Sequence, residues 1–162
     1  MCIIFSLNLF VLIPMVDMTK LFAISGIPGS GKTTLANKLA EQYNAQICSY
    51  DNLPNANTKE GMDGSVKQAW IQEIREVLQS GKSVICDRLN LTVTDRNELL
   101  SSVADIPCEK VLYMKIVPLE TCLRRNRERE ARLPDFVVEQ AAQKMEAPTK
   151  GEGWDEIYLI RE

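Results

Sequence analysis

Residues 26–33 read Gly-Ile-Pro-Gly-Ser-Gly-Lys-Thr and satisfy G-x-x-x-x-G-K-[ST] at each fixed position. No other stretch restricts the fold as tightly. Three of the eight glycines fall within its first six residues. Glycine tolerates left-handed backbone, so successive N–H groups can converge on one anion. A helix starting at the lysine points its positive end at the same spot. In such a pattern Lys32 reaches the outer phosphates of a triphosphate, and the Thr33 hydroxyl ligates Mg²⁺. Gly26, Pro28, Gly29, Ser30, Gly31 and Thr34 complete the expected nucleotide-binding set. The pattern requires a strand before it and an amphipathic helix after it. Residues 21–25 (LFAIS) supply the first, and residues 33–43, with Leu35, Ala36, Leu39 and Ala40 at helical spacing, supply the second.

Beyond the loop, short apolar runs continue to alternate with helical periodicity. Residues 45–49, 83–86, 110–117 and 156–160 predict four more strands. Residues 65–68 (Ser-Val-Lys-Gln) form a capping-box signature, opening a helix with Trp70, Ile74 and Val77 on one face and a stop at Gly81. Further helices are predicted from Thr94 to Val103, over residues 119–129 and over residues 135–145. Residues 52–64 are polar and turn-rich, a loop long enough to act in substrate binding. Strands each followed by a helix predict an α/β fold, a five-stranded parallel sheet covered on both faces.

A chain of 162 residues, 45% hydrophobic and 25% charged, suits one globular domain. That domain spans residues 20–162. Residues 1–19 form an apolar extension, too short to span a membrane and interrupted by Pro14. It is either an extra packing segment or sequence upstream of a start at Met15 or Met18. The net charge of −3 excludes a chain coated with nucleic-acid-binding charge, so any such partner must meet a local basic patch. The absence of histidine removes imidazole bases and His-ligated zinc. Five scattered cysteines without a C-x-x-C pair read as reduced core thiols of a cytoplasmic protein.

In open parallel sheets, ligands bind beyond the carboxyl ends of the strands. Two predicted ends carry an aspartate. Asp87 follows an apolar run, the Walker B arrangement of a carboxylate held near Mg²⁺. Asp51 is placed to take a proton from an acceptor hydroxyl. Residues 124–132 hold five of the nine arginines, with Arg125, Arg129 and Arg132 spaced to share one helical face. Beside a phosphate loop, this run reads as a lid whose guanidinium groups close on the phosphates.

Together these residues resemble P-loop kinases of the polynucleotide 5′-hydroxyl kinase type and related small AAA-like or zeta-toxin-like ATP-binding domains. The resemblance runs from about Leu21 to Ile160. It rests on GIPGSGKTT, Asp51, the VICD segment with Asn90-Leu91 and Arg96, Arg125-Asn126-x-x-Arg129, and Pro148 with Glu152-Gly153-Trp154. It implies a sheet of order 2-3-1-4-5, with ATP and Mg²⁺ as cofactors. Asp51 is then the general base, Lys32, Arg125 and Arg129 act on the ATP phosphates, and Thr33 helps hold the metal. Two features depart from the pattern, both on the acceptor side. Pro54 stands where the phage enzymes carry an acceptor-contacting arginine, and the segment Asp87-Arg88-Leu89-Asn90 is one residue longer.

The resulting expectation is an ATP- and Mg²⁺-dependent kinase whose partners are ATP and a nucleic-acid 5′-end or nucleotide. No phosphatase or ligase domain is expected in the same chain, and no membrane. The alternatives are a kinase of a nucleoside or other small metabolite and a non-catalytic ATP-binding regulatory module.

Overall fold

The computed structural model describes residues 17–56, 58 and 64–162. Of the apolar extension, residues 1–16 lie outside these, as does part of the loop predicted over residues 52–64. The parallel sheet comprises β1 (Lys20–Ser25), β2 (Gln46–Ser49), β3 (Val84–Asp87), β4 (Glu109–Ile116) and β5 (Glu156–Arg161), in order β2-β3-β1-β4-β5. The expected architecture and strand order are both present. Alternation along the central strand builds two cores from one segment. Leu21 and Ala23 face the helices α2 (Ser65–Gln79) and α3 (Val93–Ser102), meeting Trp70, Ile74, Leu99 and Val103. Phe22 and Ile24 face α1 (Lys32–Tyr43), meeting Ala36 and Leu39. A third cluster joins Ile27 of the phosphate loop to Leu91, to Cys122 of α4 (Leu119–Arg127) and to Val138 of α5 (Asp135–Lys144). The loop is thereby packed from beneath, not merely tethered at its ends.

Local signals set most helix boundaries. Asn44, at φ 48°, ends α1 with its N–H on the Ala40 carbonyl, and Gly81, at φ 81°, follows α2. The capping box expected at residues 65–68 is not the start of α2. Gly64, at φ 91°, is its N-cap without a side-chain cap bond, so Ser65 already lies inside the helix. A capping box does open α3, where Thr92 and Asp95 cap one another's backbone N–H.

The arginine run departs from expectation. Helix α4 ends at Arg127, so Arg129 and Arg132 lie beyond it and do not share a helical face with Arg125. Buried Asn126 explains the break: its carboxamide donates to the Leu133 carbonyl (2.7 Å) and accepts from the Leu133 N–H (3.1 Å). This staple closes residues 126–133 into a loop, and Pro134 disfavours helix at Leu133. Cys48, Cys86, Cys108 and Cys122 are buried and unpaired, and burial pushes their thiols up, Cys48 to about 12. They are inert packing groups. Among the described residues no helix is long and apolar enough to cross a membrane.

Candidate active site

The phosphate loop links β1 to α1 at the carboxyl edge of the sheet. Gly31, the N-cap of α1, sits at φ 86° and offers no capping side chain, so no side-chain cap bond occupies the helix start. Serine, threonine or aspartate would normally fill that role. The first-turn amides are left for an anion. Gly29 is required twice over. Its φ is 84°, and a Cβ there would meet the Cys122 carbonyl oxygen at 2.4 Å. The loop is therefore seated on α4 at backbone contact.

Two adjoining clefts open over this loop. The smaller, about 230 Å³, brings Gly29, Gly31 and Thr34 together with Arg125 and Arg129. The larger, about 560 Å³, is lined by Pro28, Asp51, Asp87, Arg88 and Asn90 among others. Lys32, Thr33 and Arg129 border both. Gly26 and Ser30 line neither. Ser30 is buried, its N–H donates to the Ile27 carbonyl, and a Cβ at Gly26 would strike its hydroxyl at 2.6 Å. Both shape the loop from within.

Lys32 donates to the Ile27 carbonyl at 3.0 Å. Burial holds its ammonium down at about 8, Asp87 and Asp51 pull it up, and Arg129 adds to the lowering. A desolvated ammonium beside bare amides is built for an incoming polyanion. Thr33 and Asp87, both bordering the larger cleft, supply the hard oxygen donors that Mg²⁺ prefers. The donor set fits this ion. Arg125 pairs with Glu162 at 2.8 Å, and the same carboxylate takes Lys115 at 2.7 Å. Those two cations hold Glu162 below the usual carboxylate range.

The acceptor side is organised by residues that motif reading underrated. Asn90, almost wholly buried at φ 47°, donates through Nδ2 to the carbonyls of Ile24 (3.1 Å) and Arg88 (3.2 Å). Its own carbonyl accepts from the Ser25 hydroxyl at 2.9 Å, while the Gly26 N–H donates to the Leu89 carbonyl. The loop after β3 is thus fixed to the phosphate loop. Arg96 anchors the same loop from below. Its side chain is fully buried and pairs through two nitrogens with Glu152, at 2.8 and 2.9 Å. It also donates to the carbonyls of Leu91 (3.0 Å) and Glu146 (3.1 Å). Burial pushes the Glu152 carboxyl up, but Arg96, the Thr149 N–H and the Trp154 indole outweigh it and hold the group below its ordinary value.

Arg96 is therefore structural, whereas Arg88 points elsewhere. Its guanidinium lies 4.9 Å over the Tyr50 ring and 5.9 Å from Trp70, and Tyr50 meets Trp70 edge-on at 6.0 Å. The resemblance marks Asn90, Arg96 and Glu152 without giving them roles, and an Asn close behind a strand end is a further clue, since Asn tolerates left-handed backbone.

Residues 21–148 match the protein-family model described as "AAA domain". A curated L-seryl-tRNA(Sec) kinase from Methanococcus maripaludis is 27% identical over 143 residues, 83% of this chain and 56% of that protein. The chain spans about half the length of the curated relatives it matches. A fungal RNA kinase structure superposes with TM-score 0.66 at 15% identity, covering 87% of this chain and 74% of that one. A gluconokinase from Sinorhizobium meliloti gives TM-score 0.64 at 19% identity, covering 89% and 83%. The three names print three different acceptors, and the structural likeness is one of fold.

Proposed function

The chain belongs to the AAA-domain family of P-loop, kinase-like proteins, and from that premise we propose that it transfers the γ-phosphate of ATP to a 5′-hydroxyl of a polynucleotide or nucleotide. Asp51 takes the proton from the hydroxyl as its oxygen attacks the γ-phosphorus. The new oxygen–phosphorus bond forms while the bond to the β-phosphate oxygen breaks, and ADP leaves. Lys32, Arg125 and Arg129 stabilise the charge on the transferring phosphoryl group. Amides at the start of α1, with Gly29, Gly31 and Thr34, orient the phosphates. Thr33 and Asp87 are the residues that would hold Mg²⁺, which would supply positive charge against the phosphates.

One observation carries this reading: Asp51 and Lys32 border a single cleft, so a base and a phosphate-binding amine face the same space. A pure nucleotide-binding module has no use for that exposed carboxylate. The seryl-tRNA named for the Methanococcus maripaludis kinase is a hydroxyl carried on RNA, which supports an acceptor joined to a nucleic acid. The buried thiols support a cytoplasmic setting. The test is transfer from γ-labelled ATP to a panel containing a 5′-hydroxyl oligonucleotide, a nucleoside 3′-monophosphate, a nucleoside and gluconate. Label on a nucleic-acid or nucleotide 5′-hydroxyl is expected. Label on gluconate alone, or on none of the four, rejects the proposal.

A further inference from the structure

Arg88 differs from the paired arginines near the site, and from Arg129, which among the described residues also lacks a carboxylate partner but is exposed and borders both clefts. Arg96 is paired with Glu152 and Arg125 with Glu162. Among the described residues, Arg88 makes no ion pair, and its side chain donates no hydrogen bond. Yet it is half-buried and borders the same cleft as Asp51 and Lys32. A half-buried arginine with no carboxylate partner at the border of a cleft is open to an anion brought by a ligand.

Its mounting is rigid. The Arg88 carbonyl is held by Asn90 Nδ2, which fixes the backbone. The guanidinium lies over Tyr50, and Tyr50 is braced against Trp70. The Trp70 indole N–H in turn donates to the Cys48 carbonyl on β2 at 2.9 Å. A guanidinium held over a ring by cation–π attraction, with no hydrogen bond spent, keeps its fork of donors for bidentate oxyanion recognition. Tyr50 directly precedes Asp51 in one short 3₁₀ turn, so ring platform and base move together. Apolar Leu89, Leu133 and Val137 line other parts of this cleft, with Lys144 as a further cation.

We propose that Arg88, mounted on Tyr50, is the acceptor-binding residue that grips a phosphate carried by the acceptor, and so selects phosphate-bearing alcohols over neutral ones. This rests on the kinase reading above, and it moves the acceptor-anion contact from position 54, where proline stands, to the end of β3. The phosphate belongs either to a mononucleotide or to the first phosphodiester of a strand. Both present the same oxyanion to the fork, and the apolar residues receive the organic part.

The test is equilibrium binding, with the phosphate loop saturated by a non-hydrolysable ATP analogue and Mg²⁺. Adenosine 3′-monophosphate, adenosine and a 5′-hydroxyl dinucleotide are titrated into wild type, Arg88→Ala and Arg88→Lys. Wild type is expected to bind both phosphate-bearing ligands about 50-fold more tightly than adenosine. Arg88→Ala should bring all three within about threefold. Arg88→Lys should recover only part of the preference, since a point charge lacks the fork. A mononucleotide matching the dinucleotide assigns the grip to a terminal phosphate, and a tighter dinucleotide assigns it to the diester. Retained preference in Arg88→Ala, or an equal loss for all three ligands, overturns the proposal. Affinity for the ATP analogue verifies that each variant is folded. Because binding is measured without transfer, a chain that shows the Arg88-dependent preference but phosphorylates no acceptor refutes the kinase reading alone.

Discussion

The two halves of the cleft are built on opposite principles. The nucleotide half is a bare-backbone device. Glycines at positive φ, an uncapped helix start and a lysine desolvated to about 8 leave donors unspent until an anion arrives. The acceptor half is a side-chain device. Asn90 and Arg96 spend their donors on backbone carbonyls and Glu152, so that a short loop presents Arg88 and Asp87 in one geometry. Backbone amides recognise phosphate of any origin, whereas side chains discriminate. One half can therefore serve many related proteins while the other varies with the acceptor.

The contrast is broken most severely by removing the base. Asp51→Asn should lower transfer by about a thousandfold while leaving ATP-analogue affinity within a few-fold, measured by single turnover and calorimetry. Lys32→Ala should instead lose both, because its ammonium serves the nucleotide half. Full transfer in Asp51→Asn would remove the base assignment.

A large structural effect is expected in the acceptor half. Arg96→Met strands the Glu152 carboxylate in a buried site and should cost about 3–5 kcal/mol by chemical denaturation. Pairing it with Glu152→Gln should recover part of that. Glu152 is held below its usual pKa, so its contribution is present above the unfolded carboxylate range and fades as pH falls through the folded value. The double variant should accordingly lose less stability than wild type on acidification below about pH 4.

Gly29→Ala probes the nucleotide half, where the new methyl meets the Cys122 carbonyl at 2.4 Å. Loss of about 1–3 kcal/mol is expected, together with weakened nucleotide binding, since strain and clash fall on the loop itself. Ala at Gly151, where a Cβ would meet nothing, is the matched control.

A subtler consequence follows from the Lys32 ammonium. In the empty loop it loses its proton near pH 8, and phosphates raise its pKa. Nucleotide binding should therefore take up about half a proton near pH 8 and close to one by about pH 9 to 9.5, and affinity should fall as pH rises through that window. Calorimetry in buffers of different ionisation enthalpy measures the uptake, and Lys32→Arg should abolish it. The smallest effect belongs to the exposed Arg127–Asp135 pair, whose loss should leave the chemical denaturation midpoint nearly unchanged.

Much was legible before any coordinates. The phosphate loop, five strands and the aspartates at the ends of β2 and β3 all follow from local pattern, because a strand's period and a glycine's conformational freedom are properties of neighbouring residues. The helical face expected for Arg125, Arg129 and Arg132 was not legible. The staple from Asn126 to Leu133 that ends α4 depends on a carboxamide finding the backbone seven residues away. Arg88 and Arg96 illustrate the same limit. Eight residues apart and identical in chemistry, one is sealed against Glu152 and the other lies open on Tyr50. Composition and spacing say that each is a cation near a strand end. Which carboxylate or ring each meets is set by segments more than thirty residues away, brought together only when the sheet closes. By itself the sequence determined the phosphate chemistry, since that resides in contiguous backbone. Tertiary structure alone decided that Arg96 is sealed in an ion pair while Arg88 borders the cleft, because burial and pairing are properties of a site and not of a residue.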